Sequence, residues 1–276
     1  MRGYQWEWGT GGARRPGREQ EQGDNCVLFG VDSNLDLAQA LFDLGGVQFG
    51  SFDLGPTAGT SPIYINPRVL ISEPTMLRRV ARLIHGEIQA DRARRRPRIH
   101  SFAAVAGVPM GGLHIATAYA LESTTPLIYL RPSKDGEAEP LIEGRILIGQ
   151  SALVIDDLMT GGSSILSTAS RLEDAGMAVR DAIVLIDREQ GGIERLKEHG
   201  YEVIPILKLK TMLNFYRSNA IISEQMFERC MDYLQLHHHD ADAPESSNGS
   251  APAVMTDLAF DDDTSATDEP DASPEH

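Results

Sequence analysis

Apolar residues along this chain switch between two rhythms. In Leu35–Leu44 (LDLAQALFDL) they recur every three or four positions and stop at Gly45-Gly46, which predicts an amphipathic helix closed by glycine. Ser72–Gln89 (SEPTMLRRVARLIHGEIQ) repeats that rhythm behind a Ser, Glu and Pro start, with His85 on or near the packed face. His100–Val105 reads as a strand, Gly107–Gly112 as a turn and residues 113–121 as a helix. Pro126–Leu130 is a second short strand. Ala152–Ile155 is an unbroken apolar run, as a strand covered on both faces requires. From Ser163 the helical spacing returns, with Ile165, Leu166, Ala169 and Leu172 in step. The run beginning at Ala182, Glu194–Gly200 and Glu202–Leu207 then read as strand, helix and strand. Lys208–Arg217 and Ser223–Leu234 form the last helices. This alternation predicts an α/β fold, a central mostly parallel sheet flanked by helices.

One stretch joins both rhythms. Ser151–Leu166 reads SALVIDDLMTGGSSIL: strand, acidic pair, glycine turn, helix start. In an open parallel sheet, ligands bind at such places. Glycines let a backbone approach a phosphate, and the helix N-terminus attracts its charge. Thr160, Gly161, Gly162, Ser163 and Ser164 supply that cradle, with Leu158 and Met159 leading into it. A phosphate alone does not account for Asp156 and Asp157, which would repel it. Vicinal ribose hydroxyls do, bound directly or through Mg²⁺. A 5′-phosphorylated ribose therefore fits the stretch. The competing reading is an acidic helix cap, although a cap needs only one such residue.

Charge changes the picture at the ends of the chain. The net charge is −15, but residues 240–276 carry eleven acids and no Lys or Arg. Residues 1–25 hold four charges of each sign, which leaves about −4 for the middle of the chain. The acidic end is poor in large apolar residues and is expected to be disordered, its MTDLAF patch reading as spacer or as docking motif. Residues 1–33 are expected to be a disordered extension, 34–236 the folded domain and 237–276 the tail. His237–His239 read as a fraying helix end, a purification remnant or an adventitious metal site. No run reaches the roughly 18 apolar residues that cross a bilayer, and the first residues lack a secretory apolar core. Cys26 and Cys230 form no metal or redox motif, so a cytoplasmic protein without membrane attachment is expected. The basic run Arg92–Arg98 has no interleaved aromatics and reads as a solvated connector rather than a nucleic-acid contact.

The central stretch resembles the PRPP motif of type I phosphoribosyltransferases, apolar residues followed by two acids and a T-x-G-S/T turn. Further segments resemble orotate phosphoribosyltransferases in particular. Phe49-Gly50-Ser51-Phe52-Asp53-Leu54 and Ser61-Pro62-Ile63-Tyr64 match that family's opening. GVPMGGLHIAT (107–117) matches its pyrophosphate segment, and AIVLIDREQGG (182–192) matches the segment around its orotate-binding arginine. The resemblance spans about residues 34–235. It departs at Gly55-Pro56-Thr57-Ala58-Gly59, where the family carries a lysine. It departs again at 130–144, which reads as a mobile loop: Arg131 and Lys134 stand at the two lysine positions, while Leu130 replaces an arginine and Pro132 is unusual.

The resemblance implies a type I phosphoribosyltransferase fold with a small N-terminal hood. It implies that PRPP is held by Asp156 through Ser164, pyrophosphate by Pro109, Met110 and Gly111, and orotate by Arg188, Thr160 and Tyr64. Catalytic roles fall to Lys134, Arg131 and Asp157, and Mg²⁺ is the cofactor, met by Asp156 and Asp157 indirectly. A loop shared between subunits implies a homodimer. The implied activity is formation of orotidine 5′-monophosphate in UMP biosynthesis. The departures keep a second reading open, a PRPP- or nucleotide-binding homologue with a sensing role. A type I enzyme acting on another base is the third.

Overall fold

The computed structural model describes residues 33–53, 60–131, 142–146 and 148–237. Lys134, the turn at 55–59 and the acidic stretch 240–276 lie outside the described residues. Helix α1 (Asn34–Asp43) starts from a reciprocal cap: the Ser33 hydroxyl accepts from the Asp36 N–H, and the Asp36 carboxylate accepts from the Ser33 N–H. Strands β1 (Val47–Asp53) and β2 (Thr60–Ile65) pair antiparallel as a separate two-stranded sheet, the hood. A 3₁₀ turn, Pro67–Ser72, leads into α2 (Pro74–Arg92).

The main sheet follows. Its elements in chain order are β3 (Ala104–Gly107), α3 (Gly111–Ser123), β4 (Leu127–Leu130), β5 (Ile142–Glu143) and β6 (Ser151–Met159). Then come α4 (Ser163–Asp174), β7 (Ala178–Asp187), α5 (Gly192–Glu198), β8 (Glu202–Lys208), α6 (Leu209–Ser218) and α7 (Glu224–Leu236). The strand order is β5-β4-β3-β6-β7-β8, parallel throughout except for β5. From β3 the chain builds outward to β4, then returns to lay β6 on the other side of β3. That reversal puts a crevice between the C-terminal ends of β3 and β6.

Alternation along the strands sorts the core into two layers. Leu153, Ile155, Ile183 and Ile204 face a cluster built with α1, α2, α3, α6 and α7. Ala152, Val154, Ala182 and Val184 face a second cluster with Ile165, Ala169 and Leu172 of α4 and Leu196 of α5. Both faces of the sheet are covered, which is why its strands read as continuous apolar runs.

Three expectations need correction. The first inner strand is Ala104–Gly107 rather than His100–Val105, because side chains satisfy the backbone ahead of it. The Arg98 and Ile99 N–H groups donate to Asp91 Oδ2 at 2.8 Å, and the His100 N–H donates to Asp181 Oδ2 at 2.7 Å. The helix expected over 113–121 begins at Gly111, packed directly on β6. The acidic pair does not follow its strand: β6 runs on to Met159, its ladder with β7 continuing through Met159 opposite Asp187.

Candidate active site

Asp156 and Asp157 sit near the C-terminal end of β6, beside the crevice. Asp156 is 4% exposed, and its Oδ1 accepts the Asp157 N–H at 2.8 Å. Burial raises the Asp157 carboxyl above its ordinary range. Its neighbour Asp156 and Arg68, whose Nε lies 3.9 Å from Asp157 Oδ2, act against that rise.

The turn after β3 closes onto this pair. Val108 donates its N–H to the Ile155 carbonyl at 3.0 Å, Pro109-Met110 is a cis peptide, and Met110 is 64% exposed. A Cβ on Gly111 would lie 2.1 Å from Asp157 Oδ2, and one on Gly112 would lie 2.3 Å from the Ile155 carbonyl. Only glycine permits this approach. It brings the backbone of the Pro109–Gly111 turn and the N-terminus of α3 beside the acids, a setting for an anion next to a diol.

The turn Thr160–Gly162 leads from β6 into α4, with Gly162 left-handed at φ 78°. The N-cap of α4 is Gly162, which has no side chain, and the helix's first two residues are Ser163 and Ser164. The neighbouring turn, between β7 and α5, locks against it. A Cβ on Gly192 would meet the Thr160 carbonyl at 2.4 Å. The Arg188 N–H donates to the Met159 carbonyl at 2.9 Å, and Arg195 Nη1 donates to the Gly161 carbonyl at 3.5 Å.

Arg188 stands at this junction. It is 6% exposed, and its Nε and Nη2 have no hydrogen-bond partner among the described residues. Its flanking carboxylates are directed elsewhere. Asp187 Oδ1 accepts the Glu189 N–H at 2.8 Å, and Glu189 Oε2 accepts the Lys210 N–H at 2.7 Å. Glu189 itself holds a left-handed φ of 57°, a strained conformation of the kind that collects at functional sites. Burial pulls the Arg188 pKa down, opposed only by Tyr233 of α7. Burial also pushes Asp187 up to about 6. A buried guanidinium with unused donors is a socket for a planar anion, a carboxylate above all.

The structure thus gathers Asp156 through Ser164, Pro109 to Gly111 and Arg188 along one edge of the sheet. Leu158 is half-buried and Met159 is 1% exposed. Arg131 follows β4 at the same edge. Tyr64 is half-buried in the hood, its ring centroid 5.6 Å from that of Phe52, and makes no hydrogen bond or ring contact with Arg188 among the described residues. Lys134 lies outside the described residues. Sequence reasoning missed Arg68, Asp187 and Tyr233. Arg68 carries no motif of its own and meets Asp157 only through folding. Asp187 does stand in the quoted DREQGG run, where an acid ending a buried strand was a signal. Among the described residues no group of three or more His, Cys, Asp or Glu could hold a metal ion.

Comparisons with known proteins agree with this geometry. A family model described as "Phosphoribosyl transferase domain" matches residues 70–206. Uridine 5'-monophosphate synthase of Bos taurus is 32% identical over 225 residues, 81% of this chain and 45% of that protein. Orotate phosphoribosyltransferase of Chlamydia caviae is 33% identical over 189 residues, 67% of this chain and 86% of that protein. The solved structure of Leishmania donovani UMP synthase superposes with a TM-score of 0.64 at 31% identity, covering 74% of this chain and 42% of that one. The chain therefore spans less than half the length of these two UMP synthases and most of the length of the single-function relative. With Gly111 seated on Asp157 and a buried, waiting Arg188 in the DREQGG turn, the chain belongs to the orotate phosphoribosyltransferase family of type I phosphoribosyltransferases.

Proposed function

We propose that this chain transfers the 5-phosphoribosyl group of PRPP to orotate, giving orotidine 5′-monophosphate and pyrophosphate in UMP biosynthesis. The observation that carries the reading is Arg188, buried with two donor nitrogens unpartnered beside the turn that would hold the sugar phosphate. A carboxylate-bearing acceptor fits that socket; a purine base offers it no anion.

In this reading the turn Thr160–Ser164 and the start of α4 hold the 5′-phosphate. Asp156 and Asp157 accept hydrogen bonds from the ribose hydroxyls. The backbone of Pro109, Met110 and Gly111 holds the pyrophosphate, while Arg188, aided by Thr160 and Tyr64, aligns the orotate carboxylate. The bond from C1′ to the pyrophosphate oxygen breaks and its electron pair leaves with pyrophosphate. A ring nitrogen of orotate supplies the pair for the new C1′–N bond. No protein nucleophile takes part, so catalysis rests on positioning, charge stabilisation and exclusion of water. Two adjacent carboxylates, with no third ligand beside them among the described residues, suit a metal met through ribose or water. When bound, Mg²⁺ neutralises pyrophosphate charge. Arg131 and Lys134 add positive charge to the leaving group, delivered across the interface of a homodimer. Among the described residues no helix is long and apolar enough to cross a membrane; cytoplasmic residence is proposed from the substrates alone.

The test is a steady-state assay of PRPP-dependent orotate consumption with Mg²⁺. Turnover of order 1 s⁻¹ or more is expected, lost in Asp157→Asn and Lys134→Ala. Absence of turnover, with PRPP binding intact by calorimetry, would refute the catalytic reading.

A further inference from the structure

A second charged surface lies at the opposite end of the sheet. A depression of about 300 Å³ there is lined by Arg98, His100, Arg180, Lys197, Tyr201 and Glu202. Arg180 belongs to the start of β7 and Arg188 follows its end, so the two surfaces stand roughly 26 Å apart at strand rise. The cations come from three places: the segment between α2 and β3, strand β7 and helix α5.

Part of this charge is already matched. Arg98 Nε lies 3.2 Å from Asp91 Oδ1 and its Nη2 3.8 Å from Glu87, Arg94 lies 3.5 Å from Asp91, and His100 Nδ1 lies 3.0 Å from Asp181. Arg180 and Lys197 are exposed and form no ion pair among the described residues; the same holds for Arg95 and Arg96 nearby in the chain. The Tyr201 hydroxyl donates to Glu173 at 2.9 Å, which fixes the ring in the wall of the depression. Among the described residues the depression thus carries two unmatched cations, Arg180 and Lys197, beside one acid, Glu202.

We propose that this depression docks the chain's own segment 257–263, DLAFDDD. Asp257, Asp261, Asp262 and Asp263 flank Leu258 and Phe260, and residues 240–276 contain no Lys or Arg to compete for those acids. Acids meet Arg180, Lys197 and the arginine run, while an apolar side chain meets Tyr201. The reach is sufficient. Tyr233 of α7 lies near Arg188, so the tail leaves from the active-site end of the sheet. Residues 237–256 span up to about 66 Å extended and roughly 25 Å as a random coil, against roughly 33 Å for the length of β7. Tethering gives the segment a high effective concentration at the pocket.

Carbodiimide coupling of the full chain tests the proposal, since it joins a carboxylate to a lysine amine in direct contact. At low salt the expected product links Lys197 to an acid within 257–263 of the same molecule. Its yield should fall at least fivefold in 0.5 M NaCl, where charge attraction is screened, and equally in Arg180→Glu. Phe260→Ser should lower it by a smaller factor. Tail coupling mainly to Lys208 or Lys210 at the other end of the sheet would overturn the proposal. So would yields unchanged by substituting Asp261, Asp262 and Asp263 with Asn, a change outside the folded core. Products linking two molecules would overturn it as well.

Discussion

Replacing Arg188 with methionine separates what this side chain does for the fold from what it does for the ligand. Methionine keeps an unbranched stem of similar length and removes the guanidinium. Among the described residues, no acceptor meets the buried Nε and Nη2. Each unmade buried hydrogen bond costs about 1–3 kcal/mol, so removing two such donors should stabilise the fold without orotate by roughly 2–6 kcal/mol. For a folded unit of this size each kcal/mol moves Tm by about 2–4 °C, which predicts a rise of roughly 4–24 °C. Orotate should then behave oppositely on the two proteins, raising Tm of the parent and leaving the variant unmoved. Truncating one partner of a buried charge pair typically costs about 2–5 kcal/mol. At about 1.4 kcal/mol per tenfold, kcat/KM for orotate should fall by roughly 30- to 3,000-fold. Paired melting curves with and without orotate, together with the PRPP-dependent assay, give both numbers. A variant less stable than the parent, or one still protected by orotate, would refute the assignment of Arg188 as an anion socket.

Other substitutions probe the rest of the edge. Gly111→Ala drives a methyl into the Asp157 carboxylate, whereas Gly112→Ala drives one into the Ile155 carbonyl. The first should cut kcat/KM at least tenfold with little change in Tm, and the second should lower Tm itself. Asp187 has a pKa of about 6 against about 3.9 in an unfolded chain, so between these values the folded state binds the extra proton. Stability therefore falls as pH rises from about 4 to 6, by on the order of 3 kcal/mol. Asp187→Asn keeps the acceptor for the Glu189 N–H, so in thermal melts it should match the parent at pH 4 and exceed it at pH 8. Arg68→Ala removes a cation that favours ionised Asp157. The acid limb of the kcat/KM profile should then move to higher pH, with activity lost more at pH 6 than at pH 8.5.

What the sequence disclosed follows from how local each signal is. The acidic pair, the glycine turn and the start of α4 are contiguous, so composition and spacing expose them together. Arg188 was legible through its DREQGG context, but its unpartnered state was not, since that depends on where Glu189 and Lys210 meet. The hood strands were hard to read because β1 changes register between Phe49 and Phe52, which breaks alternation along it. The misplaced inner strand has the same kind of cause. Asp91 and Asp181, distant in sequence, take the N–H groups that a strand would have used. Arg68 illustrates the limit, an exposed-looking arginine whose partner lies 89 positions away.

The interlock between the turns after β6 and β7 also constrains the history of the protein. Thr160 touches Gly192, Met159 binds Arg188, and Gly161 receives Arg195, so the two turns share one backbone spacing. Neither can lengthen or swing without dislodging its neighbour. A descendant that took a different acceptor would therefore keep both turns and exchange side chains, at position 188 first. If the proposed roles hold, sugar-phosphate grip and acceptor choice pass on as one scaffold, with selectivity written on it in single residues.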